Sequence, residues 1–111
     1  MTTSSFAYIN VQKASSGSNN GYESNSASCY TNSVYISLEA CNSGGGYAMA
    51  GAILGSGSGS ASKSINTSSG SQNYYSGNLT ISSYAYTTVT VYAEAISVDG
   101  YYCIGAAYAS W

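Results

Sequence analysis

Residues 86–98 read Tyr86-Thr87-Thr88-Val89-Thr90-Val91-Tyr92-Ala93-Glu94-Ala95-Ile96-Ser97-Val98. Val89, Val91, Ala93 and Ala95 alternate with Thr88, Thr90, Tyr92 and Glu94. A period of two marks a strand with one dry and one wet face, and β-branched and aromatic residues suit a pleated surface. Ile96 and Val98 fall out of phase, so the pattern predicts a β-bulge near Ala95. The same alternation sets Val34, Ile36, Leu38 and Ala40 against Ser33, Tyr35, Ser37 and Glu39. It also sets Ala7, Ile9 and Val11 against Tyr8, Asn10 and Gln12. No segment repeats its apolar residues at helical spacing.

The pattern predicts about seven strands, at 5–13, 29–41, 47–54, 60–66, 74–83, 86–98 and 101–111. Val98-Asp99-Gly100-Tyr101 carries the Asp-Gly hairpin signal and predicts that the last two strands pair antiparallel. Asn42-Ser43-Gly44-Gly45-Gly46 reads as a turn. The low-complexity stretches 14–28 and 55–60 read as a flexible linker and a loop. Short strands, regular turns and no helix predict one all-β domain over 1–111. The expected form is an antiparallel β-sandwich, Ig-like or jelly-roll-like, with a small β-barrel as the alternative.

Charge is scarce. Of 111 residues, 5% are charged, and there is no His and no Pro; a typical chain is about 25% charged. Leu, Ile, Val and Phe number 16, against 13 Tyr. The net charge of −2 argues against disorder. The expected core is therefore thin, made of small aliphatics, Ala and Tyr. Two lysines give no electrostatic footprint for nucleic acid, and no apolar run is long enough to span a membrane as a helix. A surface of Ser, Thr, Asn and Tyr places the chain outside the cell or on its surface. Asn66-Thr67-Ser68 and Asn78-Leu79-Thr80 fit the N-glycosylation sequon.

The catalytic inventory is mostly negative, so no enzyme, cofactor or metal is expected. Without His there is no imidazole base or ligand, and four scattered carboxylates make no calcium cage. Ser60-Ala61-Ser62-Lys63 matches S-x-x-K but lacks the helical domain which that motif needs. Glu39 and Glu94 are a glycosidase pair only if the fold sets them about 5–9 Å apart. Lys13 or Lys63 with an Asn would make an internal isopeptide bond only beside a buried Glu.

Three cysteines, Cys29, Cys41 and Cys103, leave one over. If 29–41 is a single strand, its ends lie about 40 Å apart, beyond the roughly 7 Å that a disulfide allows. Either one is then a partner for Cys103. Cys29 and Cys41 share the phase of Tyr35 and Glu39, on the wet face. Tyr101-Tyr102-Cys103 resembles the Y-Y-C before the last strand of immunoglobulin variable domains. That resemblance implies a 41–103 bond between sheets, although Asn42 to Ser60 contain no core Trp.

Two functions fit. Tyr35, Tyr92 and Trp111, with Asn and Ser nearby, suit either protein interfaces or the stacking platform of a carbohydrate-binding, lectin-like module. The leading expectation is assembly: few charges hold copies apart or guard sheet edges. Residues Phe6, Ala7, Tyr8, Ile9, Asn10 and Val11 form an assembly strand, and 1–13 is available as an N-terminal donor strand. A 15-residue linker over 14–28 would reach about 50 Å, making donor-strand complementation between subunits available. The composition is similar to that of extracellular filament and pilus subunits. The expected partners are copies of the chain itself, and glycans.

Overall fold

The computed structural model describes residues 6–13, 18–44, 46–57, 59–67, 70–98 and 103–111, with side chains described within 21–96 and 103–111. Six antiparallel strands run β1 (Phe6–Lys13), β2 (Ser18–Asn42), β3 (Tyr47–Ser56), β4 (Gly59–Thr67), β5 (Gln72–Val98) and β6 (Cys103–Ser110). They are joined in the order β1-β6-β2-β5-β3-β4. The expected seven become six because the segments at 74–83 and 86–98 are one strand.

The two long strands decide the shape. Extended, 25 residues of β2 would measure about 80 Å, but the longest dimension of the molecule is 47 Å. The strand therefore bends. Its ladder to β5 shifts register between Thr31 and Ser33, where Thr31 pairs with Ala85 and Ser33 with Thr80. Asn32 and residues 81–84 fall between the two paired stretches. On one side of this bend lies a layer of 18–31, 85–98, β3 and β4. On the other lies a layer of β1, β6, 33–42 and 72–80.

The layers pack face to face as an antiparallel β-sandwich. Val34, Ile36, Leu38, Ala107 and Ala109 of the second layer meet Ala50, Leu54, Val89, Val91 and Ala93 of the first in one buried cluster. Eight of the eighteen residues in that cluster are Ala, which lets the layers approach closely. At Gly105 of β6, an added Cβ would sit 2.5 Å from the Met49 carbonyl and 2.7 Å from that of Glu94. At the same end the Cys103 thiol donates to the Ile96 carbonyl, 3.2 Å away.

Several expectations change. The core holds aliphatics and Ala, but the described tyrosines stand outside it. Tyr22, Tyr30, Tyr35, Tyr74, Tyr84 and Tyr86 are exposed, and Tyr75 is only partly buried against the core. The 14–28 linker is strand from Ser18 onward, because main-chain pairing with β5 holds a sequence that lacks apolar alternation. Register is regular through Ile96, which pairs with Tyr47 on an outer face, so no bulge occurs at Ala95. The last two strands are not paired: β6 joins β1 and β2 in the other layer. The Asp99-Gly100-Tyr101 part of the hairpin signal lies outside the described residues.

Candidate ligand cleft at the bend

The irregular stretch that folds β2 also opens a cleft of about 480 Å3. Thr31, Asn32 and Ser33 line it from β2, and Tyr84 from the corner of β5. Tyr35 and Asn78 contribute from the outer face of the second layer, and Tyr108, Ser110 and Trp111 from the end of β6. Four of these residues are aromatic, five carry an amide or an aliphatic hydroxyl, and none has a charged side chain.

Short hydrogen bonds fix the polar side. Thr31 Oγ1 donates to the Ser33 carbonyl at 2.8 Å and accepts from the Ser33 amide at 3.1 Å. These bonds hold the irregular turn in place, as Thr hydroxyls do in local turns. Asn78 Nδ2 donates to Ser33 Oγ at 3.2 Å, and Ser33 Oγ lies 3.1 Å from Thr80 Oγ1. On the aromatic side, Tyr84 is 61% exposed, and its ring lies 5.8 Å from that of Tyr30, tilted by 32°. Trp111 packs partly against the core.

The fold brings together two of the three aromatic residues singled out in the sequence, Tyr35 and Trp111. Tyr92 sits elsewhere, on the outer face of the first layer, with its ring across Gly51. Asn78 of the second sequon lines the cleft, so an attached glycan and a bound ligand would compete for it. Asn66 of the first is exposed on β4, and its carbonyl accepts from Asn73 Nδ2 at 3.2 Å. No pattern in the sequence singles out Tyr84, Tyr108 or Asn32. Only the predicted gap between the strands at 74–83 and 86–98 hinted that Tyr84 stands at a corner.

The cysteines form no disulfide. Cys103 pairs in register with Asn42, one position from Cys41, so the implied 41–103 partners point to opposite faces of one sheet. Cys103 is buried in the core. Cys29 is not on the wet face either, since the register shift at Asn32 reverses the alternation. Cys29 turns inward toward Thr87, 3.7 Å away. Cys41 faces out, 3.4 Å from Glu39 Oε2 and 3.4 Å from the Tyr74 hydroxyl. Burial raises its thiol pKa, and Glu39 adds to the shift while Tyr74 opposes it. The Tyr74 hydroxyl is pushed up to about 12, first by its bond to Cys41.

Glu39 and Glu94 stand on the outer faces of opposite layers and cannot flank one glycosidic bond. Lys63 lies on edge strand β4, its Nζ 4.7 Å above the Tyr75 ring. Phe6 to Val11 pair with Ser110 to Gly105 of the same chain. Among the described residues, no three His, Cys, Asp or Glu gather as a metal site, and no helix is long and apolar enough to cross a membrane.

The sequence matches no protein-family model and no curated protein. Among solved structures, the chain is similar to TmCBM61 in complex with β-1,4-galactotriose, a carbohydrate-binding module. The TM-score is 0.59 at 9% identity, over 92% of this chain and 69% of that one. A structure of infectious bursal disease virus, Gx strain, scores 0.44 at 13% identity, over 98% of this chain and 33% of that one. The likeness to the first establishes the fold: a jelly-roll-like β-sandwich.

Proposed function

We propose that this chain is a structural subunit of an extracellular filament or surface coat that assembles with copies of itself. The observation that carries this reading is the state of its sheet edges. Among the described residues, each layer ends in two strands with a partner on one side only: 18–31 and β4 in the first, β1 and 72–80 in the second. Natural proteins block such edges with charge or Pro. Here 18–31 carries only Glu23, 72–80 carries no charge, and β4 and β1 carry one Lys each. Open main-chain groups on edges with at most one charge each suit addition of a strand from another copy, and a head-to-tail contact that does not close gives a fibre.

β1 is the strand proposed to exchange: among the described residues it hydrogen-bonds along its length to β6 only. Electron microscopy of the purified chain, with and without residues 1–13, tests the proposal. Polymers from the full chain that vanish on deletion are expected. Polymers that persist would remove the donor-strand mode, and a chain monomeric at every concentration would remove assembly altogether.

The cleft favours a second reading, a carbohydrate-binding module at a cell surface. Its support is an uncharged, aromatic-lined site on a fold shared with a module that holds β-1,4-galactotriose. Binding on a glycan array would support it.

A further inference from the structure

We propose that the cleft at the bend binds an uncharged oligosaccharide without a metal ion, by stacking on Tyr84 and Trp111 and hydrogen bonding to Asn78 and Asn32. The inference rests on the carbohydrate reading and assigns it a site. The chemistry of the lining selects the ligand by elimination. A phosphate or carboxylate would call for a cation, yet the lining contains none and Lys63 lies over Tyr75 on edge strand β4. A cationic ligand would call for a carboxylate side chain, but Glu39 and Glu94 lie outside the cleft. A wholly apolar ligand would strand the amides and hydroxyls of Asn32, Asn78, Ser33 and Ser110 away from water, which is costly. A pyranose satisfies both sides. Its C–H face meets the electron-rich face of an aromatic ring, and its hydroxyls pair with amides that both donate and accept.

The site is prepared before a ligand arrives. The turn at Thr31 and Ser33 is closed by its own hydrogen bonds, and Ser33 holds Asn78 by one donor. Such preorganisation lowers the ordering cost of binding. The cleft volume of about 480 Å3 falls in the range of small-molecule sites, roughly 300–1,000 Å3. A proline-rich peptide also docks on aromatic rings, but it offers few hydroxyls to the five polar residues of this lining.

Trp111 is the chain's one tryptophan, so its emission reports on this cleft. The full chain is titrated with neutral trisaccharides of glucose, galactose, mannose, xylose and N-acetylglucosamine, and with a proline-rich peptide, with and without EDTA. At least one trisaccharide should give a saturable change that EDTA leaves untouched. Tyr84→Ala and Asn78→Ala should each weaken binding by roughly tenfold or more. Asn78→Asp, closest in shape, should also weaken it, and Tyr22→Ala on the other layer should not. Unchanged far-ultraviolet circular dichroism identifies the variants that have folded. Binding that survives both Tyr84→Ala and Asn78→Ala would sink the site and keep the carbohydrate reading. No response to any saccharide up to about 10 mM would sink both, and dependence on calcium or preference for the peptide would overturn the proposal.

Discussion

Both halves of β2 pair with β5, yet different forces hold them. In 33–42 every second residue is buried: Val34, Ile36, Leu38, Ala40 and Asn42. In 21–31 none is. The second half lies inside its layer, between β6 and β5, and its inner face meets the other layer. Among the described residues the first half is an edge, paired to β5 alone. It is kept by main-chain hydrogen bonds and by small polar contacts such as Ser26 Oγ to Thr90 Oγ1 at 2.9 Å. One half is therefore held by apolar burial, and the other by the backbone ladder. The half that lacks burial is also the half whose second main-chain edge is unpaired among the described residues.

The sharpest way to break this contrast is to remove a side chain from each half. Leu38 is 1% exposed. Leu38→Ala should cost about 2–5 kcal/mol, the range for buried Leu truncation that leaves a cavity. Ser26→Ala, in the first half, should stay within about 0.5 kcal/mol. Urea denaturation of the two variants measures both. Equal losses would mean that 18–31 shares the core after all.

A finer test acts on the first half from across the ladder. Thr87 is buried, and its hydroxyl donates to the Cys29 carbonyl at 3.0 Å. Thr87→Val keeps the shape and removes the bond, for an expected loss of about 0.5–1.5 kcal/mol. The informative readout is amide exchange. Exchange should quicken across 18–31 and stay slow in 33–42, because an edge opens locally while the core stays shut. Uniform acceleration would instead make Thr87 an ordinary core residue.

The same contrast explains what was legible in the sequence. Residues 34–40 and 89–95 announced themselves because burial on one face leaves a period of two, and the sandwich follows from them. Residues 18–28 left no such mark. An edge held by its backbone has no apolar alternation, so Ser, Asn and Gly there looked like linker. The register shift at Asn32 was also silent, and with it went the facing of Cys29. The cleft was half legible. Tyr35 and Trp111 stand out by residue type, but Tyr84, Tyr108 and Asn32 meet them only because the strands bend, and no local pattern encodes that meeting. The expected disulfide failed for a related reason, since neighbouring register positions face opposite ways.

The smallest expected effect compares the two half-buried cysteines, one on each half of β2. Cys29 turns inward, whereas Cys41 faces out beside Glu39 and Tyr74. An outward thiol would ordinarily react first with iodoacetamide. Cys41 is restrained, because burial and the adjoining Glu39 carboxylate raise its pKa and only the thiolate is nucleophilic. Glu39→Gln removes the charge and keeps the shape. It should move the alkylation profile of Cys41 to lower pH and quicken the reaction near pH 8 a few-fold, with Cys29 unchanged. The sign carries over to stability. Both Cys41 and Tyr74 hold their protons more tightly in the folded chain. Their contribution is intact below the unfolded values, 9.0 for Cys and 10.0 for Tyr, and is lost as pH climbs from there toward about 12. Alkaline unfolding of the Glu39→Gln variant should accordingly begin at higher pH than that of the parent. An unmoved alkylation profile would show that burial alone, and not the neighbouring carboxylate, restrains the outward cysteine.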